Sequence, residues 1–149
     1  MKSINIALLS AMPEEIGNTL QNLKDINISE YGDLKIYRGE LKNNKSSYDK
    51  VFISLAWSGW GKVSAARAIT RILNSEKNID FILFTGVAGA ANSKLNQWDV
   101  LISEEVIQHD MNASPIFDRF VLPPLKKAKL KSNKELKSWI LNTLKRNSK

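Results

Sequence analysis

The 149 residues include no cysteine and a single histidine, so neither a disulfide framework nor a thiolate- or histidine-built metal site is expected. The net charge of +7 would suggest a nucleic-acid partner, but residues 126–149 hold nine basic groups and one acid. The other 125 residues hold thirteen basic and fourteen acidic groups, so the basicity reads as a solvated helix face rather than a nucleic-acid site.

No run approaches the roughly 18 apolar residues of a membrane span. The apolar start ending at Met12 is interrupted by Asn5 and followed at once by Pro13-Glu14-Glu15, which excludes a signal peptide. The expectation is a single cytoplasmic domain over 1–149, with enough apolar residues for a core.

In chain order, Ile4–Leu9 (INIALL) is nearly all apolar and reads as a central strand. Pro13 suits a first helical position and Glu14 and Glu15 a first turn. Ile16, Leu20 and Leu23 then predict a helix of about three turns, weakened by Gly17. Leu34–Leu41 and Tyr48–Ala56 predict two strands joined as a hairpin across Lys42–Ser47. Ser58-Gly59-Trp60-Gly61-Lys62 opens a second helix with a buried stripe of Val63, Ala66, Ile69 or Thr70, and Leu73.

The stretch Ile79–Asn92 (IDFILFTGVAGAAN) is a buried strand running into glycines. Gly86 and Gly89 carry no Cβ, so the backbone there can approach another group closely. Asp99–Ile107 reads as a fifth strand. From Gln108 to Leu130, Pro115, Pro123 and Pro124 predict a long irregular loop. Ser132 to Glu135 has capping-box spacing, and Leu136, Trp139, Ile140, Thr143 and Leu144 form the apolar stripe of a last helix. Alternating strands and helices give an α/β fold with a mostly parallel, twisted sheet flanked by helices.

Ligands of open α/β sheets lie beyond the carboxyl ends of the strands. Three turns occupy such ends: Ser10–Glu15, Ser58–Lys62 and Thr85–Ala90. None is a Walker A loop or a full dinucleotide fingerprint, since Val63 follows Lys62 and Ser64 stands where the third glycine belongs.

Taken together, Ala11-Met12-Pro13-Glu14-Glu15, Ser58-Gly59-Trp60-Gly61-Lys62-Val63, Thr85-Gly86-Val87-Ala88-Gly89, Asp99-Val100 and His109-Asp110 resemble the 5′-methylthioadenosine/S-adenosylhomocysteine nucleosidases of the purine nucleoside phosphorylase superfamily. The resemblance runs in order from Lys2 to about Leu144. It implies a homodimeric hydrolase that cuts adenine from a 5′-thio-substituted ribose and needs no metal or other cofactor. Its partners would be a small nucleoside and a second copy, with no nucleic acid or membrane. The family's water-activating glutamate falls on Glu15; the residues alone favour a first-turn acid compensating a helix dipole, and the resemblance reverses that preference. Ala88 and Gly89 match backbone contacts to base and ribose, and Met12 and Trp60 match the lining of the 5′-thio pocket. Part of Asp110–Pro124 matches a segment that closes the partner's pocket. His109 is read as structural.

The departures from the family pattern are specific. Val87 replaces a small hydroxyl residue beside the base, and Trp60 replaces a smaller aliphatic one. The family's ribose-binding Met-x-Glu segment and its later Ser-Asp pair, whose aspartate protonates the leaving adenine, have no counterpart in these residues. The chain is therefore expected to be a C-terminally incomplete nucleosidase with little or no activity of its own. Two alternatives stay open: a purine nucleoside phosphorylase, and a non-catalytic remnant that binds adenosine-like ligands or dimerises.

Overall fold

A computed structural model describes residues 2–76 and 78–147. The chain divides into two compact units, Met1–Gly89 and Ala90–Lys149.

The first unit contains β1 (Ser3–Ser10), β2 (Leu23–Tyr31), β3 (Leu34–Leu41), β4 (Lys50–Trp57), α1 (Lys62–Ser75) and β5 (Phe81–Phe84). One sheet joins the strands in the order β2-β3-β4-β1-β5. β1 runs parallel to both β4 and β5, while β2–β3 and β3–β4 are antiparallel. The α/β fold and the hairpin are therefore as the sequence indicated, in a mixed sheet whose parallel half carries the three glycine- and serine-rich turns. β1 is central, which is why INIALLS is apolar almost without alternation.

Side chains alternate between two cores, as the period of two requires. Ile4, Leu8, Val51, Ile53 and Leu55 bury one face with Ile16 and Leu23. Ala7, Leu9, Ala56 and Ile36 bury the other against Ala68 and Ile72 of α1.

Six local expectations are corrected. β5, read as a buried strand, is instead the edge of the sheet, with Ile82 and Phe84 exposed. The helix expected from Pro13 to Leu23 is two 3₁₀ turns, Pro13–Ile16 and Leu20–Asn22, and the chain then enters β2, which the helical reading had hidden. Gly17 ends the first turn at φ 52°, ψ −135°, a conformation that no continuing helix contains. Ile16 and Leu23 are buried nonetheless, so the apolar spacing recorded burial and not helix.

On α1 the buried stripe is Ala65, Ala68, Ile69 and Ile72. Val63 is 84% exposed, and Leu73 is also exposed. Of the expected stripe Ile69 alone packs on the core, and Ala65, Ala68 and Ile72 complete the buried face against Ala7 and Ala56.

The second unit holds β6 (Glu105–Ile107) paired antiparallel with β7 (Lys129–Lys131), then α2 (Lys134–Asn147). Of the strand expected over Asp99–Ile107 only the last three residues form. Asp99 instead closes a turn: its carboxylate accepts the Asn96 N–H at 2.8 Å, its own N–H reaches the Asn96 carbonyl, and Trp98 sits at φ 76°. The expected irregular loop is interrupted by the Leu122–Lys127 bridge and by β7. The last helix forms, but its cap is Asn133, whose Oδ1 accepts the Leu136 N–H at 2.8 Å. Ser132 donates instead to the Glu104 carbonyl.

Candidate functional site

Parallel pairing puts the ends of β1, β4 and β5 side by side, with Ser10 opposite Trp57 and Leu9 opposite Phe84. The turns beyond them are then tied together by backbone hydrogen bonds. Ser58 N–H donates to the Ser10 carbonyl at 2.8 Å, Gly59 N–H to Ala11 at 3.0 Å and Thr85 N–H to Leu9 at 2.9 Å. The buried Ser10 hydroxyl donates to the Met12 carbonyl at 2.9 Å and fixes the first turn from below. Gly59 and Gly61 stand at φ 75° and 97°, so this approach to α1 needs glycine twice.

Into this junction comes the half-buried carboxylate of Glu15. Its Oε2 accepts the N–H groups of Ala11 and Met12, both at 2.8 Å. Its Oε1 accepts the Val87 N–H from the third turn at 3.1 Å. Three donors favour the charged form and hold its pKa below the ordinary 4.5; the Met12 bond is foremost, then Val87, with partial burial opposing and Ala11 adding the least. The expected dipole of a helix N-terminus is thus replaced by direct bonds, since a four-residue 3₁₀ turn has little dipole to offer. Two donors saturate Oε2, whereas among the described residues Oε1 receives one and keeps a second acceptor position.

Gly86 explains itself here. A Cβ on it would stand 2.9 Å from Glu15 Oε1 and 3.3 Å from the carboxyl carbon. The sequence showed that the backbone could approach another group closely at this glycine; it did not show that the partner was Glu15. Nor did it show that Val87, singled out for a missing hydroxyl, contributes its backbone N–H.

The structure brings Glu15, Met12 and Val87 together. Trp60 lies one residue beyond Gly59 in the adjoining turn and is 79% exposed. Ala88 and Gly89 continue the third turn at the surface, and the Val87 side chain is 81% exposed. Among the described residues no group of three or more His, Cys, Asp or Glu is placed to hold a metal ion. No helix among them is long and apolar enough to cross a membrane.

The carboxylate bonds make a prediction about acid stability. Because the folded pKa of Glu15 is depressed, its contribution is complete above the unfolded value of 4.5 and is lost as pH falls through the lower folded value. The first unit should therefore lose stability as pH falls below 4.5, and Glu15→Gln should flatten this part of the profile. Denaturant midpoints measured between neutral pH and the acid limb check it; identical profiles for the two proteins would remove Glu15 as a contributor.

The family model of the phosphorylase superfamily matches residues 5–148. This chain belongs to that superfamily. Among curated superfamily members, the 5′-methylthioadenosine/S-adenosylhomocysteine nucleosidase of Staphylococcus haemolyticus is 34% identical over 131 residues, which are 88% of this chain and 54% of that protein. The nucleosidase of the same name from Oceanobacillus iheyensis is 40% identical over 111 residues, 74% of this chain and 45% of that one. The superfamily fold is also seen in the S-adenosylhomocysteine nucleosidase of Streptococcus pyogenes in complex with 5-methylthiotubericidin. It aligns with a TM-score of 0.84 at 25% identity, over 100% of this chain and 60% of that one. The chain spans about half the length of the curated relatives it matches.

Proposed function

We propose that these residues form the water-orienting half of an N-glycosidic hydrolase site, acting on 5′-methylthioadenosine or S-adenosylhomocysteine to release adenine. The observation that carries this reading is Glu15, ionised by three backbone donors from two turns, with one acceptor position of Oε1 left over. A carboxylate with a lowered pKa is a weak base toward water. It is well suited to hold a water molecule by its proton and to face the positive charge that a ribose ring develops as its glycosidic bond breaks. Names and bound analogues among the relatives support a nucleoside as the substrate. The same reading makes the protein a cytoplasmic, homodimeric enzyme in methionine salvage, with Met12, Trp60, Val87, Ala88 and Gly89 around the nucleoside.

Binding tests this reading without requiring turnover. A methylthioadenosine analogue with a cationic ring nitrogen in the sugar should bind more tightly than methylthioadenosine itself, by about 10² or more. Glu15→Gln should abolish that preference. Calorimetric titration of both ligands into both proteins decides it. A preference that survives the substitution assigns the charge recognition elsewhere, and tightening by added phosphate would point to a phosphorylase. In the same titrations, Trp60→Ile should improve S-adenosylhomocysteine relative to methylthioadenosine, since overpacking a close-fitting site costs about 1–3 kcal/mol. An unchanged ratio removes Trp60 from the pocket.

A further inference from the structure

β5 is short and apolar at every position, Phe81-Ile82-Leu83-Phe84. Phe81 and Leu83 pack on the core, while Ile82 and Phe84 take the other face. A slip of one residue would exchange each pair for another of the same kind, so hydrophobic pattern does little to fix the register of this strand. The site depends on that register. A one-residue slip moves the third turn by about 3.3 Å, which takes the Val87 N–H out of hydrogen-bonding reach of Glu15. Polar groups that can tell one register from another lie at the far end of the strand. Asp80, just before β5, donates its N–H to the Asn5 carbonyl at 2.9 Å. Its carboxylate accepts the Asn5 N–H at 2.8 Å. Both main-chain groups of Asn5 are thus held by one residue, immediately before the paired run that starts at Ile6 and Phe81. The Asn5 side chain is held as well. Arg38 on β3 donates from Nη2 to Asn5 Oδ1 at 2.9 Å and from Nη1 to the buried Ser54 Oγ of β4 at 3.2 Å. The same Nη1 meets Glu76 Oε2 at 2.6 Å, and Glu76 is the residue that ends α1.

We propose that Asn5, Asp80 and Arg38 form a clasp that positions the Glu15 site from the opposite end of the sheet. Asp80 sets the register of β5 on β1, and Arg38 holds Asn5 and the end of α1 in place for it. Both are positioning residues: they lie where β1 begins, and Glu15 meets the turns where β1 and β5 end. The Thr85 N–H closes that other end on the Leu9 carbonyl, but a main-chain bond is blind to register, because any residue arriving there can make it. A carboxylate is not interchangeable in this way. A slip of one residue would set Ile79 or Phe81 opposite Asn5, and neither side chain can accept its N–H. The Arg67–Asp33 pair is an internal comparison. It ties α1 to the turn between β2 and β3 through two bonds of 2.7 and 2.8 Å, and involves neither β1 nor β5. The positioning of Glu15 does not rest on the nucleosidase reading; its consequence for ligand binding does.

The test follows two groups of the site by NMR in the full chain: the titration of the Glu15 carboxyl and the exchange of the Val87 amide. Asp80→Ala should raise the Glu15 midpoint toward its ordinary 4.5, because the Val87 donor is lost. It should also speed Val87 exchange by at least about tenfold. Asp80→Asn keeps an acceptor oxygen for the Asn5 N–H and should return both readings to near wild type. Arg38→Met should move both in the same direction as Asp80→Ala, by less. Asp33→Asn, which weakens the comparison pair, should move neither. Unchanged Glu15 and Val87 in Asp80→Ala overturn the proposal. So does an equal response in Asp33→Asn, which would reduce the clasp to general stability, and so does an asparagine that behaves like alanine. Should Asp80→Ala not fold, Arg38→Met decides by the same two readings. The methylthioadenosine analogue with a cationic sugar nitrogen is then titrated into Asp80→Ala. A protein with shifted Glu15 and Val87 but wild-type affinity for this analogue upholds the positioning and counts against the nucleosidase reading, so the two failures are distinguishable.

Discussion

Adenine release from 5′-methylthioadenosine should fall by about 10²–10⁴ on Glu15→Gln in any assembly where this chain turns over. The 149 residues by themselves should release adenine only at background. The first effect follows from geometry. Glutamine keeps the length of the side chain but offers one acceptor oxygen where three N–H donors and a water must be served. It also places an NH₂ group against either Val87 N–H or the Ala11 and Met12 N–H pair, and removes the negative charge opposite the developing ribose cation. The second effect follows from the other end of the bond. A purine leaves easily only when it is protonated, and Glu15, the carboxylate that meets the third turn, is kept ionised by its hydrogen bonds. An assay of free adenine at high protein concentration, for wild type and Glu15→Gln, checks both. Release by the 149 residues well above background would show that the site needs no separate proton donor. Equal rates in the two proteins within an active assembly would take the reaction away from Glu15.

What could be read from the sequence followed the strength of local pattern. INIALLS and the VFISLAW of β4 are continuous apolar runs because both faces are buried, and runs of that kind identify themselves. β2 did not, because an edge strand is only half constrained: Ile26 and Ile28 face outward beside Lys24 and Asp25, and Leu23 falls into helical spacing with Ile16 and Leu20. The convergence of the three turns was legible, since it needs only parallel strands and glycine- or serine-rich ends. Contact between residues 15 and 87 was not. It depends on the register that sets Leu9 against Phe84, and no local pattern encodes that register. Val87 shows the limit most clearly: its side chain drew notice, while the group that acts is the N–H that nearly every residue possesses.

Gly86→Ala and Gly89→Ala should differ sharply, although the two glycines sit three residues apart in one turn. At Gly86 the new methyl would meet Glu15 Oε1 at 2.9 Å, a separation that non-bonded carbon and oxygen do not keep. The obstacle cannot swing aside freely, because that carboxylate is fixed by Ala11 and Met12 from one side and Val87 from the other. Either β5's turn retreats and breaks the Val87 bond, or Glu15 rotates and leaves two backbone donors of the first turn without their acceptor. Overpacking of this kind costs about 1–3 kcal/mol, a substantial part of the roughly 5–15 kcal/mol that holds a domain together. Around Gly89 nothing lies within 4 Å of an added Cβ, and the residue does not occupy the left-handed region, so alanine there should leave stability within about 0.5 kcal/mol of wild type. Urea midpoints of the two variants give the comparison. The Glu15 carboxyl, followed by NMR titration, should shift upward in Gly86→Ala, toward its ordinary 4.5, because at least one of its donors is lost. It should stay in place in Gly89→Ala. Equal stability and equal titration in both variants would mean that Glu15 does not occupy the junction of the three turns, and the site would have to be rebuilt without it.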